Sequence, residues 1–311
     1  MSHLPTISKA TLLHALPLLR PAVPQTLILS HDLTEEANTL HTLSKTGDAK
    51  LLTVLLVSDP TIPCTIFNKS KRTPLSLACE AGHLPIIQLL CARPDVKPDA
   101  SDPRDSRFPG RTPLSWAAGK GHLTIVRYLI EGGLSVPDKA DSWARTPLLW
   151  AVRGGHVSVV EYLTRQENMF GYLDPNQNSD WSLSSTDNPV LIPPCDFVGI
   201  NNDDEDGVTP LLCAVRERNV EIVKILLSQM DLNVNRGFRM NWRTVLTVAV
   251  RMGAVEIVEL MLRRADLDID IEDRDGLTAI EWARLLGHAT VVLHLLRARG
   301  SRGLIKDNLV G

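Results

Sequence analysis

The chain has 311 residues, 44% of them hydrophobic, which is ample apolar surface for a core. Its 33 Lys and Arg stand against 36 Asp and Glu, so the net charge is -3 and there is no overall basic excess to advertise nucleic acid. No apolar run approaches the roughly eighteen residues that a membrane helix needs, so no membrane is expected as a partner.

Residues 1–37 include an apolar stretch, Ala10 to Leu19, between Lys9 and Arg20. Pro17 interrupts it and no small-residue cleavage site follows, so it is not read as a secretory leader. The segment is expected to be an N-terminal cap or extension. From Asn38 the run NTLHTLSKTGDAKLLTVLL sets a pattern that returns along the chain: TPLSLA at Thr73, TPLSWA at Thr112, TPLLWA at Thr146, TPLLCA at Thr209, TVLTVA at Thr244 and TAIEWA at Thr278. The start-to-start spacings are 39, 34, 63, 35 and 34 residues, so a period near 34 carries one short and one long insertion. Seven units result, near 38–67, 73–103, 112–140, 146–165, 209–238, 244–272 and 278–300.

Each unit opens on a Thr whose hydroxyl can cap a helix, usually with Pro in the first-turn position. A short helix follows, with Leu75 and Ala78 on one face, and a glycine such as Gly82, Gly121, Gly155, Gly253 or Gly287 permits the left-handed turn that ends it. The runs LPIIQLL, LTIVRYLI, VSVVEYL, VEIVKILL, VEIVELML and ATVVLHLL then place apolar residues at helical spacing. A pair of helices this short cannot bury its apolar face alone, so neighbouring units must stack and share one core.

T-P-L-x-x-A, then Gly-His at Gly82-His83, Gly121-His122, Gly155-His156 and Gly287-His288, then hxIVxhLL, resembles the ankyrin repeat over residues 38–300. The TPLSWA variant, with Trp116, Trp150 and Trp282, is similar to ankyrin arrays of fungal proteins in particular. The resemblance implies an all-α solenoid of helix-turn-helix units with short β-hairpin fingers. It also implies a protein-interaction scaffold or adaptor whose concave face, made of fingers and first helices, binds a partner protein; some members regulate transcription factors in the nucleus. Two departures stand out. The family's His after T-P-L is replaced by Ser76, Ser115, Leu149, Leu212, Thr247 and Glu281, so its hydrogen bond to the capping Thr should be missing throughout. Unit five has Arg218-Asn219 in place of Gly-His, and its helix end is expected to be softer.

The 165–207 insertion contains Asp, Asn, Ser and several Pro without helical periodicity and reads as a loop beside the binding face. Trp181, Phe197 and the acids Asp203, Asp204, Glu205 and Asp206 are its candidates for anchoring or repelling a partner, the alternative being a disordered excursion with a solvated charge run; the acid cluster is also a candidate for folding over a basic surface. The extension from Pro94 to Arg111 is weaker evidence of function, and residues 301–311 are expected to be a flexible tail.

The family pattern puts the residue before the Thr, and the pair before the Gly, on the concave face. Here these are Arg72, Arg111, Arg145 and Arg243, with Lys120, Arg153, Arg216 and Arg251 near the ends of first helices. Together they would form a positive ladder for an acidic partner segment, unless they serve surface pairing instead. Trp143, at a predicted finger tip, is the aromatic anchor expected of such a face, while Trp116, Trp150 and Trp282 are assigned to packing. Phosphate-binding glycine loops and nucleophile-base pairs are absent, and five scattered cysteines suggest neither zinc nor disulfides. The protein is therefore expected to be a non-enzymatic, intracellular monomer in cytoplasm or nucleus, with no cofactor, metal or small-molecule substrate. Nucleic acid or phosphate binding by the Arg ladder is the alternative.

Overall fold

The computed structural model describes residues 33–103, 108–165, 198–238 and 242–309. Seven helix pairs follow one another along them: α1 (Leu33–Thr46) and α2 (Ala49–Ser58); α3 (Pro74–Ala81) and α4 (Leu84–Cys91); α5 (Pro113–Gly119) and α6 (Leu123–Glu131); α7 (Pro147–Arg153) and α8 (Val157–Arg165); α9 (Pro210–Arg216) and α10 (Val220–Leu227); α11 (Val245–Arg251) and α12 (Val255–Leu262); α13 (Ala279–Leu285) and α14 (Ala289–Leu309). Odd-numbered helices stack into an inner layer and even-numbered ones into an outer layer. Among the described residues no helix is long and apolar enough to cross a membrane.

The start of each inner helix from α3 onward is set by its threonine. Thr73, Thr112, Thr146, Thr209, Thr244 and Thr278 all have extended backbones, and each side chain accepts the amide three residues on, satisfying a donor with no intrahelical partner. The expected loss of the second hydrogen bond to this threonine is corrected in four units. Ser76 and Ser115 meet the cap hydroxyl at 3.0 Å and Thr247 at 3.1 Å, while Glu281 accepts from Thr278 Oγ1 at 2.8 Å and completes a capping box. A hydroxyl or carboxylate at the third helical position reaches the cap that the family's histidine reaches. Leu149 and Leu212 do not.

The alanine that closes each hexapeptide lets the inner helices approach. Ala78, Ala117, Ala151, Ala214, Ala249 and Ala283 are all fully buried, as are the β-branched pairs of the outer helices, Ile86-Ile87, Val159-Val160 and Ile222-Val223. Units are also tied by histidine. His83, His122 and His156 donate Nε2–H to the carbonyls of Lys45, Glu80 and Gly119 in the preceding unit at 3.0, 3.0 and 3.2 Å, satisfying acceptors that a helix end leaves open. Gly82 serves this twice: it sits at φ 89°, and a Cβ there would stand 2.7 Å from the His122 ring.

Unit five manages without either residue. Arg218 adopts φ 55°, and Asn219 supplies what His does not, its side chain accepting the Ile222 amide at 3.1 Å to cap α10. Arg218 thus takes the left-handed turn that glycine takes in other units, and α10 keeps a side-chain cap. The fingers are turns more than strands: one bridge, Gly237 to Thr244, occurs among the described residues. Units four and five stack directly, α7 on α9 and α8 on α10, across the long insertion, of which residues 166–197, with Trp181 and Phe197, lie outside the described residues. So do residues 1–32; α1 begins at Leu33. The tail expected from Ser301 continues α14 to Leu309, with no proline to stop it.

Replacing His122 by Ala should lower the unfolding free energy by about 1–3 kcal/mol in urea titrations, the cost of a buried acceptor left alone. His288→Ala, in a unit where no such bond forms among the described residues, should cost measurably less.

Candidate protein-docking face

Three rows of side chains, one residue per unit, run along the inner face. The residue before the capping Thr is Arg72, Arg111, Arg145, Val208, Arg243 and Leu277 in units two to seven; four positions past the Thr stand Leu77, Trp116, Trp150, Cys213, Val248 and Trp282; seven past it stand Glu80, Gly119, Arg153, Arg216, Arg251 and Leu285. A fourth series lies at the finger bases. Asn68, Asp102, Asp141, Asp204, Phe238 and Asp273 each donate a backbone N–H to the carbonyl of the residue before the Thr, which closes the finger.

The finger aspartates bring the rows together. Asp141 Oδ1 accepts the amides of Trp143 and Arg145, both at 2.9 Å, and its Oδ2 accepts the Trp150 indole at 3.0 Å. Trp116 and Trp282 donate in the same way to Asp102 and Asp273, each at 2.8 Å. The indoles thereby stand edge-on to the fingers, and the arginines fill the spaces between them. The Arg72 guanidinium lies 3.5 Å from the Trp116 centroid, and Arg111 lies 3.7 Å from both Trp116 and Trp150. Each such contact contributes on the order of 1 kcal/mol. Phe108, from the shorter insertion, meets Trp116, Trp150 and Trp143 edge to face at 5.2, 6.3 and 6.4 Å.

This geometry corrects the open ladder. Arg72 and Arg111 are buried, 8% and 4% exposed. Arg72 donates to Glu80 at 3.0 Å and to the Ser76 carbonyl at 2.9 Å, and its Nε lies 3.4 Å from Asp102. Arg111 donates to the Ser115 carbonyl at 2.9 Å; burial, and then the like charge of Arg72, push its pKa down to about 9, with Asp141, Glu80 and Asp102 pulling the other way. Arg145 lies 3.4 Å from Asp204, and Arg243 pairs with Asp273 at 3.0 Å and Asp275 at 2.9 Å. Helical spacing located these arginines but carried no information on the carboxylate each would meet one unit further on.

The last-turn bases are more open. Lys120 is half exposed and 3.8 Å from Glu80, and Arg153 is 3.6 Å from Asp204. Arg216 lies 4.9 Å from the Phe238 ring and Arg251 lies 4.3 Å from Trp282; among the described residues neither has a carboxylate within ion-pair distance. Trp143 is half-buried against Phe108 and beneath Arg145, 4.8 Å away, so it is packed more than presented. The acid run 203–206 is finger five itself. Asp204 is buried and accepts the Val208 and Asp206 amides at 2.9 and 3.1 Å, and Asp203 pairs with Arg236 at 2.9 Å. Two exposed apolar residues escaped sequence reasoning: Trp242, 65% exposed, and Leu285, 68% exposed. Leu285 was legible as the one large apolar residue in the last-turn row. At the other end an open groove of about 710 Å³ is lined by Lys45, Lys69, Glu80, Phe108 and Trp116 among others.

Gly119 is the residue that admits Arg111. A Cβ at position 119 would stand 2.3 Å from Arg111 Nη2. Gly119→Ala should therefore destabilise the chain by about 1–3 kcal/mol through overpacking, against the roughly 1 kcal/mol that Ala gains over Gly in a helix. Gly119→Ala should be tolerated once Arg111 is Ala, a non-additivity that a thermal-unfolding cycle measures. Burial tends to raise the Asp273 pKa, but hydrogen bonds from Arg243, Trp282 and the Leu277 and Asp275 amides outweigh it and hold the carboxyl lowered. Its contribution is present above the unfolded value of about 3.9 and is lost as pH falls through the lowered folded value. Asp273→Asn should thus reduce stability at pH 7 and differ progressively less from wild type as pH falls below about 4.

Comparison with known families agrees with the geometry. The model for ankyrin repeats in three copies matches residues 96–178, and the model for a single ankyrin repeat matches residues 70–103, 206–236 and 241–274, together more than half of the chain. No curated protein matches. Units one and seven lie largely outside the matched segments, and their α1–α2 and α13–α14 pairs extend the same stack. The chain belongs to the ankyrin-repeat family, whose repeats are protein-interaction modules.

Proposed function

We propose that the protein is a non-catalytic scaffold or adaptor that binds an acidic segment of another protein across its inner face. The observation that carries this reading is the last-turn row: Arg153, Arg216 and Arg251 stand one unit apart on a rigid stack, with side chains reaching solvent. Arginine at such spacing offers planar, bidentate donors to carboxylates. Lys120 and the half-buried Trp143 extend the contact surface, while Arg72, Arg111, Arg145 and Arg243 support it from beneath by fixing the indoles and fingers. The carboxylates already beside Arg72, Arg145 and Arg243 count against a nucleic-acid ladder. The TPLSWA units favour a place among fungal-type arrays, and a monomeric intracellular regulator, such as a transcriptional coregulator, is the role this supports.

A photo-crosslinking residue placed at position 216 or 251 should trap the same protein from a native cell extract. The same residue at Gln88 or Ser158, exposed on the outer helices α4 and α8, should trap none. Crosslinking only from the outer positions would move docking to the opposite face.

A further inference from the structure

We infer that docking is confined to units five to seven, and that its occupant is a partner-protein segment carrying carboxylates for Arg216 and Arg251 beside a large apolar side chain for the surface of Trp242, Trp282 and Leu285. This rests on the docking reading above and divides the face that reading leaves whole.

The division follows from how charge is matched along the fingers. In units two to four the finger base is Asn68, Asp102 or Asp141, and Asp204 follows in unit five. Arg72 has Glu80 and Asp102; Arg145 and Arg153 share Asp204. A carboxylate arriving there meets arginines whose charge is already matched by groups fixed by other bonds. Arg72 and Arg111 are also sealed beneath the indoles.

At the step from unit five to unit six both members of the pair change. Val208 stands where units two, three, four and six place an arginine before the Thr, and Phe238 closes the finger of unit six where units three, four, five and seven place an aspartate. Arg153 reaches the next finger's Asp204, but Arg216 reaches the next finger's Phe238 and finds a ring in place of a carboxylate. Arg251 lies over Trp282, whose partner Asp273 is held by Arg243. Both guanidiniums are thus oriented by an aromatic face while their charge is unmatched by any described acid. Stacking leaves the N–H edge of the fork available to a carboxylate.

The apolar part of the occupant is argued from the same region. Leu285 follows Arg153, Arg216 and Arg251 in the last-turn row and is 68% exposed, and Trp242, beside Arg243 at the base of finger six, is 65% exposed. Exposed tryptophan next to arginine is the composition of binding hot spots. Unit three, by contrast, has Gly119 in that row and no exposed large apolar residue on its inner helix.

The test is a random 16-residue peptide display selected on the full chain, followed by fluorescence anisotropy with the selected peptides. Enrichment of Asp and Glu together with one large apolar residue is expected. Arg216→Ser with Arg251→Ser should weaken these peptides by about tenfold or more, and Trp242→Ala by about fivefold. Lys45→Ser with Lys69→Ser, at the far end of the inner face, should leave affinity within about twofold. All of these sites are exposed or partly so, and equal thermal midpoints would confirm that each variant is folded. Dependence on Lys45 and Lys69 alone overturns the location while leaving docking on the inner face. Binders without acids overturn the partner's chemistry. An absence of binders, or binders indifferent to every inner-face variant, overturns both readings. Self-association in sedimentation that Arg216→Ser with Arg251→Ser abolishes would make the occupant a second copy and overturn a foreign segment.

Discussion

At the base of a finger, a buried carboxylate takes over what a strand ladder would otherwise do. Asp141 binds the amides of Trp143 and Arg145 and the indole of Trp150; Asp273 binds the amides of Asp275 and Leu277, the indole of Trp282 and the fork of Arg243. A single side chain thus closes the turn, delivers the capping threonine to the next helix and orients the indole on that helix. Were it absent, each of these fingers would keep only two backbone bonds of its own, and the tryptophans would lose the acceptor for their N–H groups. The arginine stack, the buried position of Arg111 and the gap at Gly119 all depend on indoles held edge-on in this way.

The requirement explains why composition changes in blocks and not one residue at a time. Where tryptophan stands four past the Thr, in units three, four and seven, the finger base is aspartate; where Phe238 replaces the acid, that position is Val248. Unit five keeps Asp204 without a tryptophan, and there the free oxygen faces Arg145 and Arg153 instead. Electrostatic matching along the face is therefore local to each junction, and a net charge of -3 for the whole chain is a poor guide to it.

Most of the architecture was legible because it is periodic. The threonine caps, prolines, alanines and β-branched pairs recur at fixed offsets, and each has a local physical reason that survives without tertiary knowledge. What was not legible was contact across units. Arg72 and Asp102 are thirty residues apart, with an insertion between them that shifts the register, so the arginines read as a free ladder when they are largely paired. Trp143 looked like the exposed aromatic because it precedes a threonine at a predicted tip, but Phe108, from an insertion that looked unimportant, packs on it. Trp242 stands one position nearer its threonine, where the backbone is at φ 55°, and is 65% exposed. The missing histidine at Asn219 looked like a weakness because a one-residue swap at a cap hides which donors the new side chain can reach.

The stacking of α7 on α9 and α8 on α10 has a bearing on covalent connectivity. Stability passes along such an array between nearest neighbours in space, and at this junction those neighbours are joined by a buried face irrespective of the peptide chain between Arg165 and Val198. At this junction, packing and chain connection are separate links between the same two units. Units one to four and units five to seven therefore present complementary faces to one another, whatever chain joins them.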